Sequence, residues 1–106
     1  MQKPEYEPTR AERLEQALRR AFSPTLLAVA DESARHIGHA GARPEGETHY
    51  SVALVSEAFR GQSRVARHRA VHDVVAQEFG QGLHALALTL RTPEEHASVQ
   101  GSATID

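Results

Sequence analysis

Residues 83–90 read Leu83-His84-Ala85-Leu86-Ala87-Leu88-Thr89-Leu90. Alternation with a period of two marks a strand with one face turned to a core. It sets His84, Leu86, Leu88 and Leu90 on a bulky face and Leu83, Ala85, Ala87 and Thr89 on the other. His84 opens the bulky face and therefore falls at the mouth of the strand. A histidine placed there can be half-buried with its ring bonded to a backbone carbonyl. It can also be held on one ring nitrogen and offer the other outward, as metal-ligating imidazoles usually are. The alternation alone leaves both accounts open.

Upstream, Gly80 and Gly82 close a helix expected from a Ser63 cap to about Phe79. At about 100° per residue, Val65, Val71, Val75, Ala76 and Phe79 share one arc, with His68 and His72 inside it. Arg67, Asp73, Gln77 and Glu78 point away. Ala58-Phe59-Arg60-Gly61 is a turn, and before it His49–Ser56 (HYSVALVS) alternates as a second strand. A first strand, Thr25–Ala30, runs antiparallel to it. Residues 34–47 between them carry three glycines, a proline and the histidines His36 and His39. Loops of this length inside small domains are uncommon and often functional.

Towards the N-terminus, Thr9 and Glu12 have the spacing of a capping box. Leu14, Ala17, Leu18 and Ala21 form an apolar stripe, Phe22 extends it, and Pro24 stops the helix. Beyond the third strand, Pro93 opens a short terminal helix, with fraying expected from Ser98. The reading is a flexible leader over 1–8, a domain over 9–97 and a flexible tail over 98–106. The order α-β-β-α-β-α with a three-stranded sheet is a small two-layer α+β sandwich.

A chain of 106 residues, 40% hydrophobic and 25% charged, suits one soluble domain. A net charge of −2 argues against a general nucleic-acid coat or a membrane-surface module. No secretory signal and no run of about 18 apolar residues is present, so a cytoplasmic setting without membrane contact is expected. With no cysteine, the chain offers neither thiolate ligand nor thiol nucleophile. No GxSxG, Walker A or GxGxxG pattern occurs, and the acidic pairs Asp31-Glu32 and Glu94-Glu95 read as solvated surface. The expectation is a protein that binds rather than catalyses, a monomer or weak homodimer on its own.

Seven histidines are the compositional oddity. His36 and His39 sit on a loop that could swing a ligand towards a metal held by His84. Two nitrogens do not complete a zinc site, which takes four ligands, so another molecule would supply the rest. His68 and His72, one helical turn apart, lack the HExxH pattern because Arg69 follows His68; inside the apolar arc they read as structural. His49 and His96 receive no role. Arg60, Arg64, Arg67 and Arg69 cluster around the turn and the start of the second helix. There they form either a solvated face or a phosphate-binding surface.

Asp31-Glu32-Ser33, Glu47-Thr48-His49-Tyr50, Val55-Ser56, Phe59-Arg60-Gly61, Arg67-His68-Arg69 and His84-Ala85-Leu86-Ala87-Leu88 follow one another in a specific order and spacing. In this the chain resembles the BolA family from about Leu14 to His96. The resemblance implies a fold like the type II K-homology domain and a monothiol glutaredoxin as partner. It also implies a [2Fe–2S] cluster shared with the glutaredoxin and glutathione, and no cofactor when the chain is alone. His84 would be one ligand. The second would come from the histidine loop, where the match favours His36 and His39 is the rival. Histidine in place of thiolate raises a cluster's potential, and only neutral imidazole ligates, so acid should weaken retention. The family also implies an alternative, a transcriptional regulator that binds duplex DNA through Gly61, Arg64, Arg67 and Arg69. Gly61-Gln62-Ser63-Arg64 lacks the second glycine of a GxxG nucleic-acid loop.

Overall fold

The computed structural model describes residues 7–32 and 48–104. Helix α1 (Arg10–Phe22) starts at the expected capping box. The Thr9 N–H donates to Glu12 Oε1 at 2.8 Å and Thr9 Oγ1 accepts from the Glu12 N–H at 3.2 Å. Strands β1 (Leu26–Asp31) and β2 (His49–Val55) pair antiparallel, and β3 (Ala85–Arg91) lies parallel to β2 on its other side. Two parallel strands need a crossover. Residues 56–84 supply it through a 3-10 turn (Glu57–Phe59), α2 (Arg64–Val74) and α3 (Ala76–Phe79). The architecture is the predicted α+β domain with a three-stranded sheet in the order β1-β2-β3.

Register places Tyr50, Val52 and Leu54 beside Leu86, Leu88 and Leu90. That face packs against Leu14 and Leu18 of α1, Phe59, and Val71 and Val75 of the crossover. Ala85, Ala87 and Thr89 are exposed, as the alternation requires. Leu83 departs from it: assigned to the small face, it is buried in the core. The strand begins only at Ala85. Leu83 belongs to the preceding turn, where its N–H donates to the Glu78 carbonyl at 3.0 Å and Gly82 takes φ +115°.

The second helix differs from expectation in three respects. It breaks at Val75, whose φ −107° and ψ 16° are not helical. Its buried stripe starts at Val71, leaving Val65 59% exposed. The side of α2 with Val65, His68 and His72 lines an open hollow, so these histidines do not serve the core. His72 is exposed and stacks on Phe79 with ring centroids 5.3 Å apart; His68 is half-buried, its Nδ1 2.9 Å from the Arg64 carbonyl. Conversely, Glu78 and Arg67, expected to point outward, are drawn in by partners of opposite charge. Glu78 binds Arg10 and Arg13 of α1 (3.0 and 2.8 Å), and Arg67 binds Glu95.

Helix α4 (Pro93–Thr104) is longer than expected and runs past Ser98, across the proposed domain limit. A second capping box starts it. The Thr92 N–H donates to Glu95 Oε1 at 2.9 Å, and the Glu95 N–H donates to Thr92 Oγ1 at 3.1 Å. No proline follows Pro93 to stop the helix.

Candidate functional site

Because β2 and β3 are parallel and β1 is antiparallel to β2, one end of the sheet gathers three chain segments. They are the exit of β1 at Asp31-Glu32, the entry of β2 at Thr48-His49 and the entry of β3 at His84. Backbone hydrogen bonds tie them together. The N–H groups of His84 and Ala85 both donate to the Thr48 carbonyl, at 2.7 and 3.1 Å, and the Glu32 N–H donates to the His49 carbonyl at 2.7 Å. The segment that holds His36 and His39 leaves from Glu32 and returns at Thr48. Both histidines lie outside the described residues.

His84 is exposed, and none of the described residues hydrogen-bonds its ring. The carbonyl-bonded imidazole of the first account is therefore not met among them; the backbone of His84, not its ring, is anchored. Its ring packs against His49, with centroids 5.2 Å apart and planes tilted by 48°. His49 is only 8% exposed, and its Nδ1 lies 2.9 Å from Oγ1 of Thr48, which is itself 1% exposed. Reasoning from sequence gave His49 no role, because what brings position 49 beside 84 is the parallel pairing of β2 with β3. A pair of strand entries, each preceded or opened by histidine, was the available signal. The arrangement presents an outward imidazole on a rigid backbone, backed by a second imidazole, a suitable donor for a borderline or soft metal.

A different chemistry occupies the opposite end of the sheet. Arg60 binds both carboxylate oxygens of Glu57 (2.8 and 3.0 Å) and reaches Glu94 at 3.0 Å. Arg67 forks onto Glu95 (2.6 and 3.0 Å) and donates to the carbonyls of Gln62 and Leu90 (3.0 and 3.2 Å), its side chain only 11% exposed. The Arg67 hydrogen bond, above all, holds the Glu95 carboxyl down at about 2. Gly61 takes φ +80°, a left-handed turn that suits glycine. Of the four clustered arginines, only Arg64 and Arg69 have no ion pair among the described residues. Among those residues no helix is long and apolar enough to cross a membrane.

These features define a class: a small α+β domain whose helix-covered, mixed sheet carries an outward histidine where its parallel strands begin. The profile of the BolA-like protein family matches residues 18–95, and the chain belongs to that family. It is 43% identical over 89 residues to the DNA-binding transcriptional regulator BolA of Escherichia coli K12, covering 84% of this chain and 81% of that protein. It is 41% identical over 91 residues to Protein BOLA1, chloroplastic, of Arabidopsis thaliana, covering 84% of this chain and 57% of that protein. Another Arabidopsis relative, SufE-like protein 1, is matched over only 24% of its length. The solved BolA domain of SufE1 from Arabidopsis superposes with a TM-score of 0.75 at 39% identity, covering 85% of this chain and 99% of that domain.

Proposed function

We propose that this chain is an adaptor that pairs with a monothiol glutaredoxin and, with glutathione, shares a [2Fe–2S] cluster with it. The setting would be the cytoplasm and the role iron–sulfur trafficking or iron and redox regulation. His84 carries the reading. It is exposed, its ring is free of hydrogen bonds to described residues, and its N–H donates to the Thr48 carbonyl beside that of Ala85. It also stands beside both anchors of the segment bearing His36 and His39. Two imidazoles are a known ligand set for one iron of a [2Fe–2S] cluster, so the donors fit. Chain length admits either loop histidine. Four residues from Glu32 to His36 can span up to ~14 Å and seven to His39 ~24 Å, against ~10 Å between β1 and β3.

The chain's own residues would do three things. The Thr48 carbonyl fixes the His84 backbone at the strand entry. The His49 ring limits the orientations of the His84 ring. A ring nitrogen of His84 keeps its lone pair only while the imidazole is neutral, so acid competes with ligation. The cluster, when bound, supplies transferable iron and sulfide.

Co-expression with a monothiol glutaredoxin and glutathione, read by visible absorption and circular dichroism, tests the proposal. The mixed complex should give a spectrum distinct from the glutaredoxin's own, lost in His84→Ala. One of His36→Ala and His39→Ala should reproduce that loss and the other should not. An unchanged spectrum and cluster lifetime in His84→Ala would sink the reading.

A second reading, duplex DNA binding, has one observation in its favour: Arg64 and Arg69 project without ion-pair partners among the described residues, and the E. coli relative is named a DNA-binding regulator. Arg67 contributes little to it while bound to Glu95. A salt series with Arg64→Ala plus Arg69→Ala decides, since lost phosphate contacts flatten the slope.

A further inference from the structure

At the end of the sheet away from His84, a cleft of about 370 Å³ opens between the start of α2 and the end of β3. Its polar lining is Gln62, Arg64, Arg67, His68, Arg91 and Glu95. Three guanidiniums thus face one carboxylate, and that carboxylate is spent on Arg67. Arg67 is immobilised: its bonds to Glu95, Gln62 and Leu90 use four of its five N–H groups. Arg64 and the half-buried Arg91 have no ion pair among the described residues. His68 lies with Nδ1 2.9 Å from the Arg64 carbonyl. A carbonyl only accepts, so Nδ1 carries the proton and Nε2 is left to accept from a hydroxyl of the ligand's body or, once protonated, to donate to an oxyanion.

We propose that this cleft binds a small phosphomonoester through its terminal phosphate, such as that of a sugar phosphate or a mononucleotide. The lining carries a net charge of about +2 with His68 neutral, which complements a phosphate dianion. Forked guanidiniums match tetrahedral oxyanions geometrically. The volume is at the low end for ligand pockets, enough for one head group and a short attached body. A duplex fits less well. Its phosphates form a continuous ridge, and beside the cleft that ridge would meet Glu57 and Glu94, which flank Arg60. The inference concerns other residues than the histidine site and does not depend on it.

The test is a nuclear magnetic resonance titration of the ¹⁵N-labelled chain with inorganic phosphate and with ribose 5-phosphate. Ionic strength is held constant with chloride, slightly above neutral pH where the phosphate is dianionic. Saturable shifts confined to residues 62–68 and 90–95 are expected. Arg64→Ala and Arg91→Gln should each weaken binding about 10-fold, the typical loss of one charge-assisted hydrogen bond, while Arg69→Ala, outside the cleft, leaves it unchanged. Arg64 is exposed, so its variant keeps the fold and the result stays interpretable even if Arg91→Gln is unstable. Shifts reproduced by chloride alone, or a response equally sensitive to Arg69→Ala, would overturn the proposal. So would an oligonucleotide without terminal phosphate that saturates the same resonances more tightly than ribose 5-phosphate.

Discussion

The two ends of the sheet hold the two residue types that stand out in the sequence, and they treat them oppositely. At the entry of β2 and β3, histidines are held by their backbone or packed ring on ring, and the His84 imidazole faces outward. At the exit of the same strands, arginines are clasped by carboxylates: Arg60 by Glu57 and Glu94, Arg67 by Glu95. A cluster of charges in the sequence is therefore not a cluster of available charges. What marks a site is a capable group left over after the fold has satisfied its neighbours. By that standard His84 qualifies at one end and Arg64 with Arg91 at the other.

The largest expected effect breaks the comparison at its histidine end. His84→Ala should abolish the shared-cluster spectrum while changing unfolding free energy by no more than about 0.5 kcal/mol, the range of ordinary surface substitutions. Urea unfolding of the chain alone supplies the second number. A loss of stability of about 2 kcal/mol or more would recast His84 as a structural residue, because its ring would then be holding the turn.

The histidine end also rests on a buried ion pair. Glu78 accepts from Arg10 and Arg13, and Arg10 Nη2 donates to the Gln81 carbonyl at 2.6 Å, so α1 braces the turn that delivers His84. Glu78→Gln should cost about 2–3 kcal/mol, below the full cost of breaking a buried pair because the Arg13 side chain is 37% exposed. The Arg13 hydrogen bond, then that of Arg10, holds the Glu78 carboxyl below the usual carboxylate range against the opposing effect of burial. A depressed folded value stabilises fully above the unfolded value of about 4.3. The contribution fades as pH falls through the folded value. Acid unfolding should therefore show a steeper loss of stability below that point in the native chain than in Glu78→Gln.

How much of this was legible in the sequence follows from the range of the interactions. Period-two alternation and the Thr9–Glu12 capping box are local, and they gave the strands and the start of α1. Leu83 was misplaced because alternation was extended two residues into a turn whose geometry depends on Gly82 and the Glu78 carbonyl. Glu78 and Arg67 were misjudged for a common reason. A helical wheel scores them polar and sends them outward, while their partners Arg10 and Glu95 lie 68 and 28 residues away. His49 was invisible as a neighbour of His84 until β2 and β3 were known to be parallel. Thr92-Pro93-Glu94-Glu95, by contrast, is a capping box in plain view beside the more conspicuous proline.

Arg67→Ala tests the arginine end directly. It removes the fork to Glu95 and the bonds to the Gln62 and Leu90 carbonyls, so α2 loses its clasp on β3 and α4. A destabilisation of about 2 kcal/mol is expected from the lost hydrogen bonds. The Glu95 carboxyl, held at about 2 chiefly by Arg67, should return towards the ordinary carboxylate range, which a carbon-detected titration of the side-chain carboxyl reads. The cluster spectrum at the other end should not change.

Arg60→Ala should have the smallest effect, although on paper the two arginines look alike. Arg60 makes three hydrogen bonds to carboxylates where Arg67 makes two, and its bonds to Glu57 also pull the Glu57 carboxyl down. The difference lies in the surroundings. The Arg60 side chain is 53% exposed, its partners Glu57 and Glu94 are 61% and 79% exposed, and its hydrogen bonds among the described residues go to carboxylates, not to backbone carbonyls. Water screens such pairs, and ordering three long side chains offsets most of the attraction. Thermal unfolding of Arg60→Ala should thus coincide with the native curve under conditions where Arg67→Ala melts several degrees earlier. Equal shifts for the two would mean that charge pairing alone, rather than its burial against the carbonyls of Gln62 and Leu90, holds this end of the sheet together.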